Sequence, residues 1–342
     1  MSDNRIPSLD GLRAISISMV ILGHLVKWKH VSAELLGSYG AMGVFIFFVL
    51  SGFLITNLLL REYERTSTIS LTNFYVRRAF RILPAALVFI LVVTVLYWPE
   101  MRWFHIAAAV LYVANMDVAR HWIFNHLWSL SIEEQFYLLW PFAMKRWYRY
   151  RTAIVVVAFV LTPVFRTLLY AVKAQGGVRT SLPVYSSQLA IGCLLAILAP
   201  KLPRIKGVFA LLMLAFLFGI PWFPATSPAR TLFMLFVLLP VSHVSAAGLV
   251  LHVIQRPYRM LNWAPVAWLG RISYSLYLWQ ELFCGKVAVQ SVYLIVLPAL
   301  GCACLSYYLI EQPMLRLRER WARKEISDSR SLAAVASLSL TP

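Results

Sequence analysis

Three groups of ionisable residues stand inside apolar stretches of this 342-residue chain, where charge is costly to hold. The first stretch, "LDGLRAISISMVILGHLVKW" at 9–28, carries Arg13 and His24. An imidazole exchanges protons near neutral pH. The second, "NFYVRRAFRILP" at 73–84, carries Arg77, Arg78 and Arg81, whose guanidinium forks match phosphate oxygens. The third, "HLWSLSIEEQFYLLWP" at 126–141, sets Ser129, Ser131, Glu133 and Glu134 at the outer entry of an apolar run. Eleven residues separate Arg13 from His24, which on a helix leaves them about 20° apart in direction and ~16 Å apart along the axis. Asp10, three residues before Arg13, can pair with it, and Arg81 shares a helical face with either Arg77 or Arg78. Arg166 lies alone inside a later run.

Each group also has a plainer reading. Arg13 can snorkel to the surface, and His24 can serve as an interhelix hydrogen bonder. The three arginines can be topology charges, Glu133 or Glu134 a helix-end charge, and Arg166 a partner for a neighbouring helix. Buried ionisable groups in lipid nevertheless point to function first.

The elements that must position these residues follow from composition. The chain is 60% hydrophobic and 13% charged, against about a quarter charged in a soluble domain. Apolar runs at 12–30, 38–60, 82–98, 131–144, 152–172, 183–199, 207–221, 231–253, 264–283 and 287–312 lie near the ~20 residues that cross a bilayer. Lipid demands self-satisfied backbone, hence helices. The sequence predicts an all-α polytopic membrane protein of about ten transmembrane helices. A shorter run, 104–117, is expected to be re-entrant or interfacial. One domain covers 1–315, and 316–342 forms a charged, then Ser/Ala-rich cytoplasmic tail, expected to be mobile. The N-terminal run has no cleavage site and is retained. The four cysteines sit in apolar runs as small hydrophobes, with neither disulfide nor metal site expected.

The net charge of +18 is a matter of position. With both termini cytoplasmic, 21 of the 32 lysines and arginines fall in cytoplasmic segments and eight on the other side, as the positive-inside rule asks. The expected place is the cytoplasmic (inner) membrane, multi-pass, with the lipid bilayer rather than nucleic acid as partner.

Taken together, these stretches resemble acyltransferase family three, integral membrane O-acyltransferases best known in bacteria. "LDGLRAISISMVILGH" fits its arginine–ten residues–histidine signature through Arg13 and His24. "FIFFVLSGFLI" at 45–55, "RRAFRILP" at 77–84, "LWSLSIEEQFYLLWP" at 127–141, "LGRISYSLYLWQ" at 269–280 and "IEQP" at 310–313 follow in order. The resemblance implies transfer of an acyl group from cytosolic acyl-CoA, acetyl-CoA first among them, to a hydroxyl of a glycan, glycolipid or macrolide-type acceptor. Arg77, Arg78 and Arg81, with Arg13 at the entry, would dock the donor's phosphates. His24 would be the general base, with Glu133 orienting it or binding acceptor. Asp10, Ser129, Ser131, Glu134 and Arg166 are assigned to the acceptor. A covalent route through Ser51, Ser129 or Ser131 needs a base within reach. The chain departs from the family at Gln280, where many relatives have histidine, and at 184–196. The extracytoplasmic hydrolase-like domain of some relatives does not follow Pro342, so a partner protein is expected for any second step. The rival reading is a transporter of a small anionic or acylated solute, against which stands the missing internal repeat.

Overall fold

A computed structural model describes residues 6, 8–26, 33–116, 120–173, 176–223, 227–284 and 292–321. Most of the expected tail, 322–342, lies outside the described residues. The described chain is helical, with no strand. Its helices are α1 (Leu9–Val26), α2 (Ala33–Thr66), α3 (Leu71–Leu96), α4 (Trp103–Val110), α5 (Leu127–Arg146), α6 (Arg151–Ala171) and α7 (Leu182–Leu198). There follow α8 (Gly207–Gly219), α9 (Pro228–Phe233), α10 (Leu239–Gln255), α11 (Ala264–Arg271), α12 (Ser273–Cys284) and α13 (Tyr293–Ser306).

Local chemistry sets several of the ends. Ser70 caps α3 by accepting a hydrogen bond from the Asn73 backbone N–H. Pro84, Pro141, Pro163 and Pro298 sit within helices, as membrane helices tolerate when neighbours re-satisfy the freed carbonyls. Two π turns, Met234–Leu238 and Tyr307–Glu311, join α9 to α10 and extend α13.

Among the described residues six helices are long and apolar enough to cross a membrane: Ser38–Thr66, Leu71–Leu96, Tyr148–Ala171, Gly177–Lys201, Pro228–Gln255 and Tyr293–Trp321. The molecule is a multi-pass membrane protein, but the expected ten is not reached by this measure, for visible reasons. The run 264–283 is broken at Ile272 into α11 and α12, α8 has 13 residues, and α5 carries four charged residues. Among the described residues of 104–117 the helix present is α4, all but its first residue, eight residues in all, roughly 12 Å against a ~30 Å core.

The bundle is tied at its centre by close backbone contacts. A methyl added at Gly52 of α2 would collide with the Leu189 carbonyl of α7, and one at Gly192 of α7 with the Val49 carbonyl of α2. Small residues let these helices approach where no hydrophobic force separates lipid from protein. Gly192→Val is therefore expected to destabilise the protein by about 1–3 kcal/mol or more, read as a lower melting temperature in detergent. Gly301→Ala, at a position with nothing within 4 Å, should leave it unchanged or higher. Retention of the wild-type midpoint by Gly192→Val would contradict this packing.

Large apolar side chains such as Leu91, Val95, Leu139, Val157 and Leu211 are exposed on the outer helices. Phe48, Phe89 and Val49 are buried within. This is the pattern of a bundle dissolved in hydrocarbon.

Candidate active site

The first turns of α5 bring Ser129 and Glu133 to a cavity of about 80 Å³. Arg13 of α1, Ser51 of α2, Arg78 and Arg81 of α3, and Tyr274 and Tyr277 of α12 complete its polar lining, with Tyr137 one turn along α5. Five separate sequence stretches thus converge, including Arg13 of the first helix and two arginines of the third.

Within the cavity, Ser51 donates to Glu133 Oε1 at 2.9 Å and Tyr137 donates to Oε2 at 3.0 Å. Arg78 lays its guanidinium 3.5 Å from the centroid of the Tyr137 ring and reaches Glu134 at 3.3 Å. Arg81 is exposed where the cavity opens. The Nε atoms of Arg13 and Arg78 are buried without a hydrogen-bond partner. Three guanidinium groups against two carboxylates leave surplus positive charge and spare donors, which is what an anionic ligand needs.

The cavity ends at Ser129 and Tyr277, whose hydroxyls meet at 2.5 Å. One of the two donates to the other, and the hydrogen that remains is within reach of the His126 carbonyl. Its volume admits an acetyl-sized group and some water, well short of the ~300 Å³ of ordinary ligand pockets.

His24 does not line this cavity. Its Nδ1 lies 2.7 Å from Gln280 Oε1 and 3.4 Å from Glu281 Oε2, on α12 one turn beyond Tyr277. Glu133, expected to orient His24 or to bind the acceptor, meets Ser51 and Tyr137 here, and the contacts of His24 are with Gln280 and Glu281.

Other expected site residues lie elsewhere. Arg77 is exposed, beside Arg318, Glu319 and Glu62. Ser131 is buried and donates back to the Leu127 carbonyl, a satisfied position inside α5. Glu134 pairs with Arg78 but lines a neighbouring cleft with Tyr75, Tyr112 and Gln135. Arg166 donates to the Val184 carbonyl at 2.7 Å and stands over the Tyr185 ring, beside His243 in a separate small cavity. Among the described residues Asp10 forms no ion pair with Arg13. Its backbone instead presses on Gly270 of α11.

Sequence reasoning missed Tyr137, Tyr277 and Glu281. Tyr137 was findable, being four residues beyond Glu133 and so on the same helical face. Glu281 offered the signal of a carboxylate inside "YSLYLWQELF", hidden by the attention drawn to Gln280.

Comparison with known proteins bears on this geometry. Residues 6–305 match the family described as "Acyltransferase domain". The O-acetyltransferase OatA of Staphylococcus aureus (strain NCTC 8325 / PS 47) is 30% identical over 361 residues, covering 92% of this chain and 58% of the relative. The putative peptidoglycan O-acetyltransferase YrhL of Bacillus subtilis (strain 168) is 32% identical over 364 residues, covering 90% and 55%. The peptidoglycan O-acetyltransferase OatA of Listeria monocytogenes serovar 1/2a (strain ATCC BAA-679 / EGD-e) is 32% identical over 316 residues, covering 80% and 48%. The chain therefore spans about half the length of these relatives. No solved structure matches it.

Proposed function

The chain belongs to acyltransferase family three, matched over residues 6–305, and on that premise we propose that it moves an acetyl group from cytosolic acetyl-CoA to a hydroxyl of an extracytoplasmic glycan. Peptidoglycan is the first acceptor to test, given the names of its relatives. The observation that carries the reading is the cavity in which Arg13, Arg78 and Arg81 meet Ser51, Ser129 and Glu133. We place the protein in the cytoplasmic membrane with both termini inside, which puts the arginine end of the cavity on the side where acyl-CoA is made.

In this reaction Arg81 and Arg78 hold the donor's phosphates, and Arg13 with its free Nε steers the pantetheine arm along α1. The contact between Ser129 and Tyr277 parts to admit the thioester. His24 takes the proton of the acceptor hydroxyl as its oxygen attacks the thioester carbonyl. The C–S bond then breaks, and coenzyme A leaves as the thiol after regaining that proton.

The donor side makes a graded prediction. Arg81→Gln should raise the KM for acetyl-CoA about tenfold, the loss of one charge-assisted hydrogen bond. Arg77→Gln, an exposed position outside the cavity, should change it less than about twofold. Equal effects would mean that the cavity does not receive the phosphates.

A second reading has one observation in its favour. Ser51 sits 2.9 Å from a carboxylate in the cavity, so an acyl-serine route has its nucleophile and base in contact. Full transfer by Ser51→Ala would remove it.

The function itself is tested by purified protein in nanodiscs with labelled acetyl-CoA and soluble peptidoglycan fragments. Acetate esters on the glycan, with release of free thiol, support it. Movement of a solute across proteoliposomes without any thiol release would favour a transporter instead.

A further inference from the structure

We propose that Gln280 and Glu281 are positioning residues that hold His24 as the tautomer protonated on Nδ1, leaving Nε2 as the nitrogen that accepts the proton. The inference rests on the acyl-transfer reading for its catalytic meaning and on hydrogen-bond geometry for the tautomer. Nδ1 faces two oxygens, Gln280 Oε1 at 2.7 Å and Glu281 Oε2 at 3.4 Å. An amide oxygen and a carboxylate oxygen only accept, so a hydrogen on Nδ1 satisfies both, and a lone pair there would repel both.

The orientation of the amide, which decides the matter, is itself fixed. Gln280 Nε2 lies 3.3 Å from Glu281 Oε2 and donates to it. Turning the amide over would set its oxygen against the carboxylate and lose both hydrogen bonds. Gln280 is fully buried, so no water compensates for such a turn.

The three side chains form a short relay of fixed polarity. Glu281 orients Gln280, and Gln280 orients the ring. Glu281 then has a second role once Nε2 is protonated. The imidazolium carries its charge next to a carboxylate that is itself only 13% exposed, and at this burial the attraction is far less screened than in water. The logic is that of a carboxylate holding a catalytic histidine in one tautomer and stabilising its cation. Here a glutamine stands between the two and a direct, longer contact runs beside it. His24 remains 31% exposed, so its other edge has access to a substrate.

Two experiments test the pair. With ¹⁵N-labelled histidine in nanodiscs and His24→Gln to identify the signal, the nitrogen spectrum should show Nδ1 protonated at neutral pH. An Nε2–H tautomer overturns the proposal. In acetyl-transfer kinetics, Gln280→Leu should lower kcat about 10²-fold with the acetyl-CoA KM within about twofold of wild type. Gln280→Glu keeps an acceptor in place and should recover most of that loss. Glu281→Gln, which keeps the shape but not the charge, should lower kcat about tenfold. Wild-type turnover in Gln280→Leu, or equal loss in the leucine and glutamate variants, overturns the positioning role. A wild-type protein that transfers nothing, yet shows Nδ1–H, removes the acyl-transfer reading and leaves the tautomer assignment standing.

Discussion

Replacing His24 with alanine is expected to lower acetyl transfer by about 10²–10⁴-fold, the range that a positioned general base contributes. The KM for acetyl-CoA should move little, because the donor's phosphates meet Arg78 and Arg81 of α3, which share a cavity with Arg13, itself ~16 Å from His24 along α1. Folding should survive, since the imidazole is 31% exposed and its removal leaves Gln280 and Glu281 still bonded to each other. Gel filtration in detergent and a melting curve establish the fold, and thiol release with labelled acetyl-CoA gives the rate. A well-folded His24→Ala protein with undiminished turnover would end the base assignment.

The second large effect is expected at Arg78, and it combines stability with binding. Its guanidinium is the counter-charge for Glu134 and lies flat on the Tyr137 ring that holds Glu133. Arg78→Met leaves two carboxylates in poorly hydrated surroundings with that cation gone. The pair is half-buried, 18% and 16% exposed, so breaking it should cost about 1–3 kcal/mol, less than the roughly 3–5 kcal/mol of a fully buried pair. The double variant Arg78→Met/Glu134→Gln removes the carboxylate that Arg78 contacts, while Glu133 keeps its donors Ser51 and Tyr137, so its melting temperature should return most of the way to wild type. Its KM for acetyl-CoA should nevertheless stay raised, since the phosphate-binding fork is still missing. Recovery of both stability and KM in the double variant would show that Arg78 serves packing alone.

The helical character and the region of the site were readable from residue order, and the reasons for the misses are physical. Arg13, Ser129 and Glu133, to which helical spacing and cost of burial both point, line one cavity. Arg77 and Arg78 could not be separated by periodicity, as each lies roughly 40–60° from Arg81. Only the packing of α3 against α5 turns Arg78 inward and leaves Arg77 outside. Ser131 could have been set aside, since two residues on a helix point nearly opposite ways. The break at Ile272 is invisible to a hydropathy window, because "AWLGRISYSLYLW" is apolar enough on average to read as one crossing. Glu281 was lost for a different reason. Its partner lies 257 positions earlier in the chain, and no local pattern reports such a meeting.

The distance between His24 and the arginine cluster has an electrical consequence. On the proposed reaction, the acceptor's proton is taken near the outer face, and it departs with the thiol at the inner one. The acetyl group moves the other way, formally as an acyl cation, so each turnover exchanges one positive charge for another and carries none across. A membrane potential, worth about 2.3 kcal/mol per net charge at 100 mV, therefore adds no driving force. Proteoliposomes energised with potassium and valinomycin should reach the same extent of O-acetylation as the same vesicles at zero voltage.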